Sequence, residues 1–166
     1  SHWRAQDSVA SRNPAQRFRH QLVLNLVSQL RPERVLDVGS GQGDLILALS
    51  RVLDPQQLAG IELSASGVTS TRIKVPSAQV LQQNLLSTDY VPFDIDFDCV
   101  TCVEVLEHLN DPTAFLKTAI QHLRSGGTAI ITVPSGPRTA FDISIGHRRH
   151  FSKRSEEHTS ELQSRQ

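Results

Sequence analysis

Several groups of residues in this sequence have the types and spacing to do chemistry. The first is Asp37-Val38-Gly39-Ser40-Gly41-Gln42-Gly43. A glycine-rich turn between a strand and a helix lets a ligand approach the backbone closely. The glycines fall at 39, 41 and 43, and Asp44 stands where the dinucleotide fingerprint G-x-G-x-x-G wants its third glycine. Asp37 argues in the same direction: a carboxylate at the mouth of the loop would repel a pyrophosphate and attract a sulfonium or an ammonium. Glu62 closes the next apolar run, 19 residues after Gly43. A carboxylate there can accept from both ribose hydroxyls, a device that dinucleotide sites share, so it indicates an adenosine ligand of either kind. Asn84, in Gln83-Asn84-Leu85, offers its amide to an adenine edge or serves a turn.

The second group is Glu104, Glu107 and His108, all just past a strand-like run. His108 is the candidate general base or orienter of an acceptor; the plain alternative is a histidine that caps a turn and packs on the sheet. The third is Gly146-His147-Arg148-Arg149-His150-Phe151, which follows the turn-rich Pro134-Ser135-Gly136-Pro137. His147 and Arg148 could hold a carboxylate or phosphate on an acceptor; otherwise the stretch is a solvated basic turn anchored by Phe151. Cys99-Val100-Thr101-Cys102 has C-x-x-C spacing, but residues three apart on a strand face opposite sides, so two buried core thiols are expected rather than a redox or zinc site.

These residues need a scaffold, and the pattern supplies one. Asn13-Pro14 opens an amphipathic helix over 14–30, with Phe18, Leu22, Leu26 and Leu30 on one stripe and Val23 and Val27 beside it. Strands are expected over 34–38, 58–63, 78–82, 98–103 and 128–133, and helices over 44–52, 65–74 and 112–123. Asp111 caps the last helix, and Ser125-Gly126-Gly127 turns into the last strand. Strands alternating with helices imply a parallel sheet with helices on both faces, and right-handed crossovers make it doubly wound. In such sheets ligands bind beyond the C-terminal strand ends, the rim that carries all the groups above.

The 166 residues suffice for one domain with a real core, and 38% hydrophobic with 20% charged residues is an ordinary composition. A formal net charge of +0 argues against a dominant grip on nucleic acid or an anionic membrane. No apolar run approaches the ~20 residues of a membrane span. With two cysteines and no signal-like segment at Ser1-His2-Trp3-Arg4, a cytoplasmic setting is the expectation.

Four segments carry a family resemblance. Val35-Leu36-Asp37-Val38-Gly39-Ser40-Gly41-Gln42-Gly43 resembles motif I of the class I methyltransferases, and Gly60-Ile61-Glu62-Leu63-Ser64 their acidic second-strand motif. The run from Phe97 to Leu109, with Glu104-Val105-Leu106-Glu107-His108, resembles the fourth-strand motif of their small-molecule members; Leu123-Arg124-Ser125-Gly126-Gly127-Thr128 resembles the turn before their fifth strand. The resemblance spans roughly residues 14–152. It implies an α/β, doubly wound, mostly parallel Rossmann-like sheet. It implies S-adenosyl-L-methionine as methyl donor and in-line transfer to O, N or C of a small-molecule acceptor.

The cofactor site implied is Asp37, Gly39, Ser40, Gly41, Gly43, Glu62, Asn84, Leu85 and Glu104, with Asn84 standing where the family usually has Asp. His108 and Glu104 are the implied catalytic pair. Glu104, Glu107, His108 and His147 also resemble the E-x-x-E-H…H metal site of the small-RNA 2′-O-methyltransferases and a similar array in ubiquinone-pathway O-methyltransferases. Such a mixed set suits Mn²⁺, Fe²⁺ or Zn²⁺ better than Mg²⁺. The string also occurs in relatives that need no metal, so no residue is assigned to an ion. The competing functions are an NAD(P)-dependent oxidoreductase and a cofactor-binding fragment without turnover.

Residues 154–164 resemble the translation of a common sequencing adapter. The expected organisation is therefore a flexible segment at 1–13, an S-adenosylmethionine-binding domain over 14–153 that lacks the family's sixth and seventh strands, and a non-native tail at 154–166. A chain so shortened is expected to be less stable than one with a natural C-terminus.

Overall fold

Strand β1, Val35–Val38, is buried along its whole length, and everything else is arranged around it. The computed structural model describes residues 14–87 and 93–151; the segments 1–13 and 154–166 lie outside the described residues. Five strands form one sheet in the order β3-β2-β1-β4-β5, where β2 is Leu58–Glu62, β3 Gln79–Gln82, β4 Phe97–Val103 and β5 Leu123–Thr132. All four neighbouring pairs are parallel. The sheet is the doubly wound one expected, and its order reverses between β1 and β4, where ligands of such sheets bind.

Alternation along each strand feeds two cores. On one face Val35, Leu58, Val80 and Cys99 pack under helices α1 (Pro14–Leu30), α2 (Asp44–Leu49) and α3 (Ala65–Lys74), through Val23, Val27, Leu45, Ile46, Leu49 and Val68. On the other, Leu36, Val38, Ala59, Ile61, Val100 and Cys102 pack under α4 (Pro112–Ala119), through Phe115, Leu116 and Ala119. Cys99 and Cys102 are thus buried on opposite faces as free thiols. Burial pushes the Cys99 thiol up to about 12 and raises that of Cys102 as well. Two helices start as the sequence dictates: Ser64 accepts from the Gly67 amide at 3.2 Å, and Asp111 from that of Ala114 at 2.9 Å, ahead of Pro112.

Some expectations need correction. On α1 it is the Val23–Val27 stripe that is buried; Phe18, Leu22, Leu26 and Leu30 are exposed, Phe18 by 70%. Short branched valines let the helix lie close on the sheet, and the larger stripe falls on its outer side. Strand β5 begins before the Ser125-Gly126-Gly127 turn, at Leu123, because Phe97 pairs with Leu123 while Cys99 pairs with Thr128. The turn is an irregularity inside the strand. Helices α2 and α4 end at Leu49 and Ala119, earlier than their apolar patterns suggest. A short helix, α5 (Ala140–Ser144), occupies the stretch after β5. Among the described residues no helix is long and apolar enough to cross a membrane.

Candidate active site

The glycine loop bridges β1 and α2 at the rim of the sheet. Gly39 takes φ 77°, and a Cβ there would lie 2.4 Å from Val105 Cγ2. Only glycine brings the loop this close to the turn after β4. The loop's amides are already engaged. Gly39 and Ser40 donate to the Ile61 carbonyl at 2.8 and 3.1 Å, and Gly43 donates to the Ser40 carbonyl at 2.9 Å. Gly41 donates to Glu62 Oε2 at 2.9 Å. The other oxygen of Glu62 accepts from the Ser64 amide and hydroxyl, at 2.9 and 2.8 Å. A carboxylate has about four lone-pair positions, so Glu62 retains capacity for a ligand.

A cleft opens against this loop. Gly39, Glu62, Asn84, Leu85, Glu104 and His108 line it, with Val38, Ile61, Leu63, Val105, Leu109 and Phe115 as its apolar walls. Asn84 Oδ1 accepts from the Leu86 amide at 3.0 Å, so the residue does form a turn, and its amide nitrogen has no partner among the described residues. Ser40, Gly41 and Gly43 support the loop from behind without lining the cleft.

Asp37 is not at the mouth of the loop. Alternation along β1 turns its side chain to the α1 face, where it is buried and accepts from Thr101 Oγ1 at 2.7 Å on the neighbouring strand. Burial pushes its carboxyl up to about 7, with Glu62 adding to the effect and the Thr101 hydrogen bond opposing it.

Glu104 directly follows β4 with φ 55°, an unusual conformation for a side chain of this size. Its carboxylate is paired with the guanidinium of Arg19, which reaches over from α1. The sequence reading missed Arg19, because one arginine on the polar side of a helix carries no local signal. His20, beside it, is held below the ordinary histidine range by burial, against the pull of Glu104 and Asp44.

Beyond His108 the rim becomes a cluster of acids and histidines. Glu107 is fully buried, and neither carboxylate oxygen has a hydrogen-bond partner. Burial raises its carboxyl to about 7. The nearest cation-capable group is His147, whose Nε2 lies 3.9 Å from Glu107 Oε1. His108 Nδ1 is 3.1 Å from the Gly146 carbonyl; a carbonyl only accepts, so Nδ1 carries the proton and Nε2 the lone pair. The rings of His108 and His147 meet edge to face at 5.0 Å. On its far side His147 faces His150, from the same singled-out stretch, and Asp142, which the sequence reading did not select. The five-residue step from Asp142 to His147 and the three-residue step on to His150 were the available signal. Burial lowers His147, and hydrogen bonds from Thr139 hold Asp142 below the usual carboxylate range.

The basic stretch is mostly architectural. Arg148 donates to Asn110 Oδ1, and Arg149 Nη2 to the Asn110 carbonyl at 2.8 Å. The Arg148 amide donates to the Glu107 carbonyl at 2.7 Å, and Arg138 donates to the carbonyls of His147 and Arg148 at 2.9 and 2.7 Å. Arg148 therefore clamps the loop after β5 onto the loop after β4, a duty that competes with binding an acceptor. Phe151 packs on the core, as the plainer reading has it.

Comparison with known proteins agrees with this architecture. The methyltransferase domain family matches residues 10–166. The ubiquinone biosynthesis O-methyltransferase of Xanthomonas campestris pv. campestris (strain B100) is 30% identical over 121 residues, which cover 68% of this chain and 47% of that protein. The enzyme of the same name from Psychrobacter arcticus is 29% identical over 128 residues. The chain spans about half the length of these curated relatives. Among solved structures, the N-methyltransferase NodS from Bradyrhizobium japonicum WM9, in complex with S-adenosyl-L-homocysteine, superposes with a TM-score of 0.70 at 19% identity, covering 92% of this chain and 76% of that one. The chain belongs to the methyltransferase domain family.

Proposed function

We propose, from that membership, that the chain binds S-adenosyl-L-methionine in the cleft beyond β1, β2 and β4 and transfers its methyl group to O, N or C of a small-molecule acceptor. The observation that carries this reading is the charge pattern of the cleft. Two carboxylates, Glu62 and Glu104, line it, while four amides of the glycine loop are already engaged within the protein. Such a site disfavours a pyrophosphate and suits a nucleoside with a cationic tail. Those four amides are not available to a phosphate, which weighs against the dinucleotide alternative.

Each side chain then has a task. Glu62 takes a ribose hydroxyl with its remaining lone-pair position. Leu85 and Phe115 flank an apolar slot for the base, and the amide nitrogen of Asn84 is the donor left for its edge. The Arg19–Glu104 ion pair matches the methionyl zwitterion, carboxylate to guanidinium and ammonium to carboxylate. The bound donor supplies an electrophilic methyl on a sulfonium, already a good leaving group. The protein's contribution is alignment and exclusion of water. Where the acceptor is a hydroxyl, the lone pair on His108 Nε2 takes its proton as the new bond to carbon forms and the carbon–sulfur bond breaks.

Glu104 is committed to Arg19 and stands outside the group in which Glu107, His108 and His147 converge. Among the described residues Glu104 does not join the other three donors of the metal site that the resemblance suggests, and no step of transfer is assigned to an ion.

Calorimetric titration with S-adenosylhomocysteine and, separately, NADH tests the reading. Binding of the former alone is expected, with Glu62→Ala weakening it at least about tenfold, the loss of charge-assisted hydrogen bonds. Binding of NADH alone would refute the assignment.

A further inference from the structure

The geometry points to a divalent transition-metal site at Asp142, His147 and His150, one ring beyond the cleft and distinct from the E-x-x-E-H donors. The three facing atoms are Asp142 Oδ1, His147 Nδ1 and His150 Nε2. They are separated by 3.6, 3.7 and 3.0 Å. Ligand bonds of ~2.0–2.1 Å in a tetrahedron put neighbouring donors roughly 3.3–3.4 Å apart. The trio stands within a few tenths of an ångström of that spacing; its shortest side, from His147 Nδ1 to His150 Nε2, is a hydrogen bond whose proton an ion would displace.

Two of the three ligands are also held from behind, as metal ligands are. His150 Nδ1 lies 3.1 Å from the Gly136 carbonyl, so it carries the proton and leaves the Nε2 lone pair for an ion. The other oxygen of Asp142, Oδ2, accepts from the Thr139 amide and hydroxyl, both at 2.6 Å, which leaves Oδ1 free. His147 would ligate through Nδ1 and carry its proton on Nε2, which faces Glu107 Oε1 at 3.9 Å. That carboxylate is fully buried and otherwise unpartnered, so an imidazole N–H is the partner it lacks. The ligand side chains of His147 and His150 are only 9% and 7% exposed, and that of Asp142 18%.

The inner group, Glu107, His108 and His147, is the competitor, and one imidazole cannot serve both in neutral form. Its spacing from His147 to Glu107, 3.9 Å, is wider than a tetrahedral edge, and Glu107 has no hydrogen-bond partner among the described residues to orient either oxygen. Two histidines and one carboxylate select Mn²⁺, Fe²⁺, Co²⁺ or Zn²⁺ over Mg²⁺. Three protein ligands leave a further position for water or an acceptor oxygen. An ion there would also pin α5 to the segment 147–150 that follows it. The site does not depend on the identity of the methyl donor.

Co²⁺ titration of the chelator-stripped full chain, followed by visible d–d absorption, tests it. One Co²⁺ per chain with the intense bands of low coordination number is expected. Asp142→Asn and His150→Ala should each weaken binding by about 100-fold or more, beyond what loss of an outer partner costs, while His108→Ala leaves it unchanged. Far-UV circular dichroism checks that each variant folds. A second measurement needs no variant: Zn²⁺ should protect His147 and His150, but not His108, from diethyl pyrocarbonate. No uptake of Co²⁺, loss of binding in His108→Ala with retention in His150→Ala, or protection of His108 instead of His150 would each overturn the assignment.

Discussion

Asp37 shows how one residue can carry a functional motif and work against stability. Its carboxyl is buried beside Thr101 and raised to about 7, chiefly by desolvation. Below about pH 4 the group is protonated in both folded and unfolded chains. Between about pH 4 and 7 the unfolded chain ionises it and the folded chain resists, so its stabilising contribution falls as pH rises through that window and is gone above it. The shift of roughly three units sets a ceiling of about 4 kcal/mol. Asp37→Asn keeps an acceptor for Thr101 and removes the titration. We expect it to unfold at higher temperature than the parent at pH 8, to match it near pH 4, and to lose affinity for S-adenosylhomocysteine if the negative charge serves the site. Melting curves across that range check the first two points, and a parent with flat stability from pH 4 to 8 would refute the linkage. Arg19 gives the complementary case. Arg19→Ala strands the Glu104 carboxylate and removes the guanidinium proposed above to take the methionyl carboxylate. Its affinity for S-adenosylhomocysteine, measured by titration, should drop roughly 10- to 100-fold, the worth of a charge-assisted hydrogen bond.

At the scale of elements, the loop after β1 is built by contact as much as by conformation. Gly39 and Gly41 both have positive φ, 77° and 54°, but a Cβ at Gly39 would meet Val105 whereas one at Gly41 would meet nothing within 4 Å. Gly41→Ala should therefore cost only the left-handed backbone, about 1–2 kcal/mol. Gly39→Ala should cost more and also deform the cleft wall at Val105. Pairing Gly39→Ala with Val105→Ala should recover part of the loss, and denaturant titration of the three variants reads the difference. Helix α1 makes a similar distinction between its two stripes. Val27→Ala should cost about 2 kcal/mol as a core truncation, while Leu26→Gln, on the half-exposed stripe, should stay within about 0.5 kcal/mol. These elements also mark what the sequence could reveal. Strand and helix order, the caps at Ser64 and Asp111, and the opposite faces of Cys99 and Cys102 follow from period and local chemistry, and the sequence carries both. Which of two adjacent apolar stripes on α1 turns inward depends on the partner surface. So does the partner of Glu104, because Arg19 is 85 residues away in the chain. The side of the sheet on which Asp37 lands follows from the alternation of β1. The loop motif invites the opposite reading only because Gly39, two residues on, does reach the cleft.

At the scale of the molecule, the cleft sits where the strand order reverses, and its polar groups arrive from several separate elements. Glu62 ends β2, Glu104 and His108 follow β4, and Glu104 is tied to Arg19 of α1 on the opposite layer. A ligand that touches them all bridges the two cores that the sheet divides. Occupancy should therefore stabilise the fold as a unit rather than one loop. Binding only to the folded chain adds RT ln(1 + [L]/Kd), about 2.7 kcal/mol at a ligand concentration 100 times Kd. Thermal unfolding with S-adenosylhomocysteine at that ratio should shift upward as a single transition, the probes of α1 and of α4 moving together. Arg19→Ala removes the link to the α1 layer. In that variant the shift should shrink by the affinity lost, and at matched fractional saturation the α1 probe should lag behind that of α4. Equal shifts at both probes in the variant would mean that the ligand is held by one layer alone, and the ion pair between Arg19 and Glu104 would then be a structural tie rather than a part of the binding site.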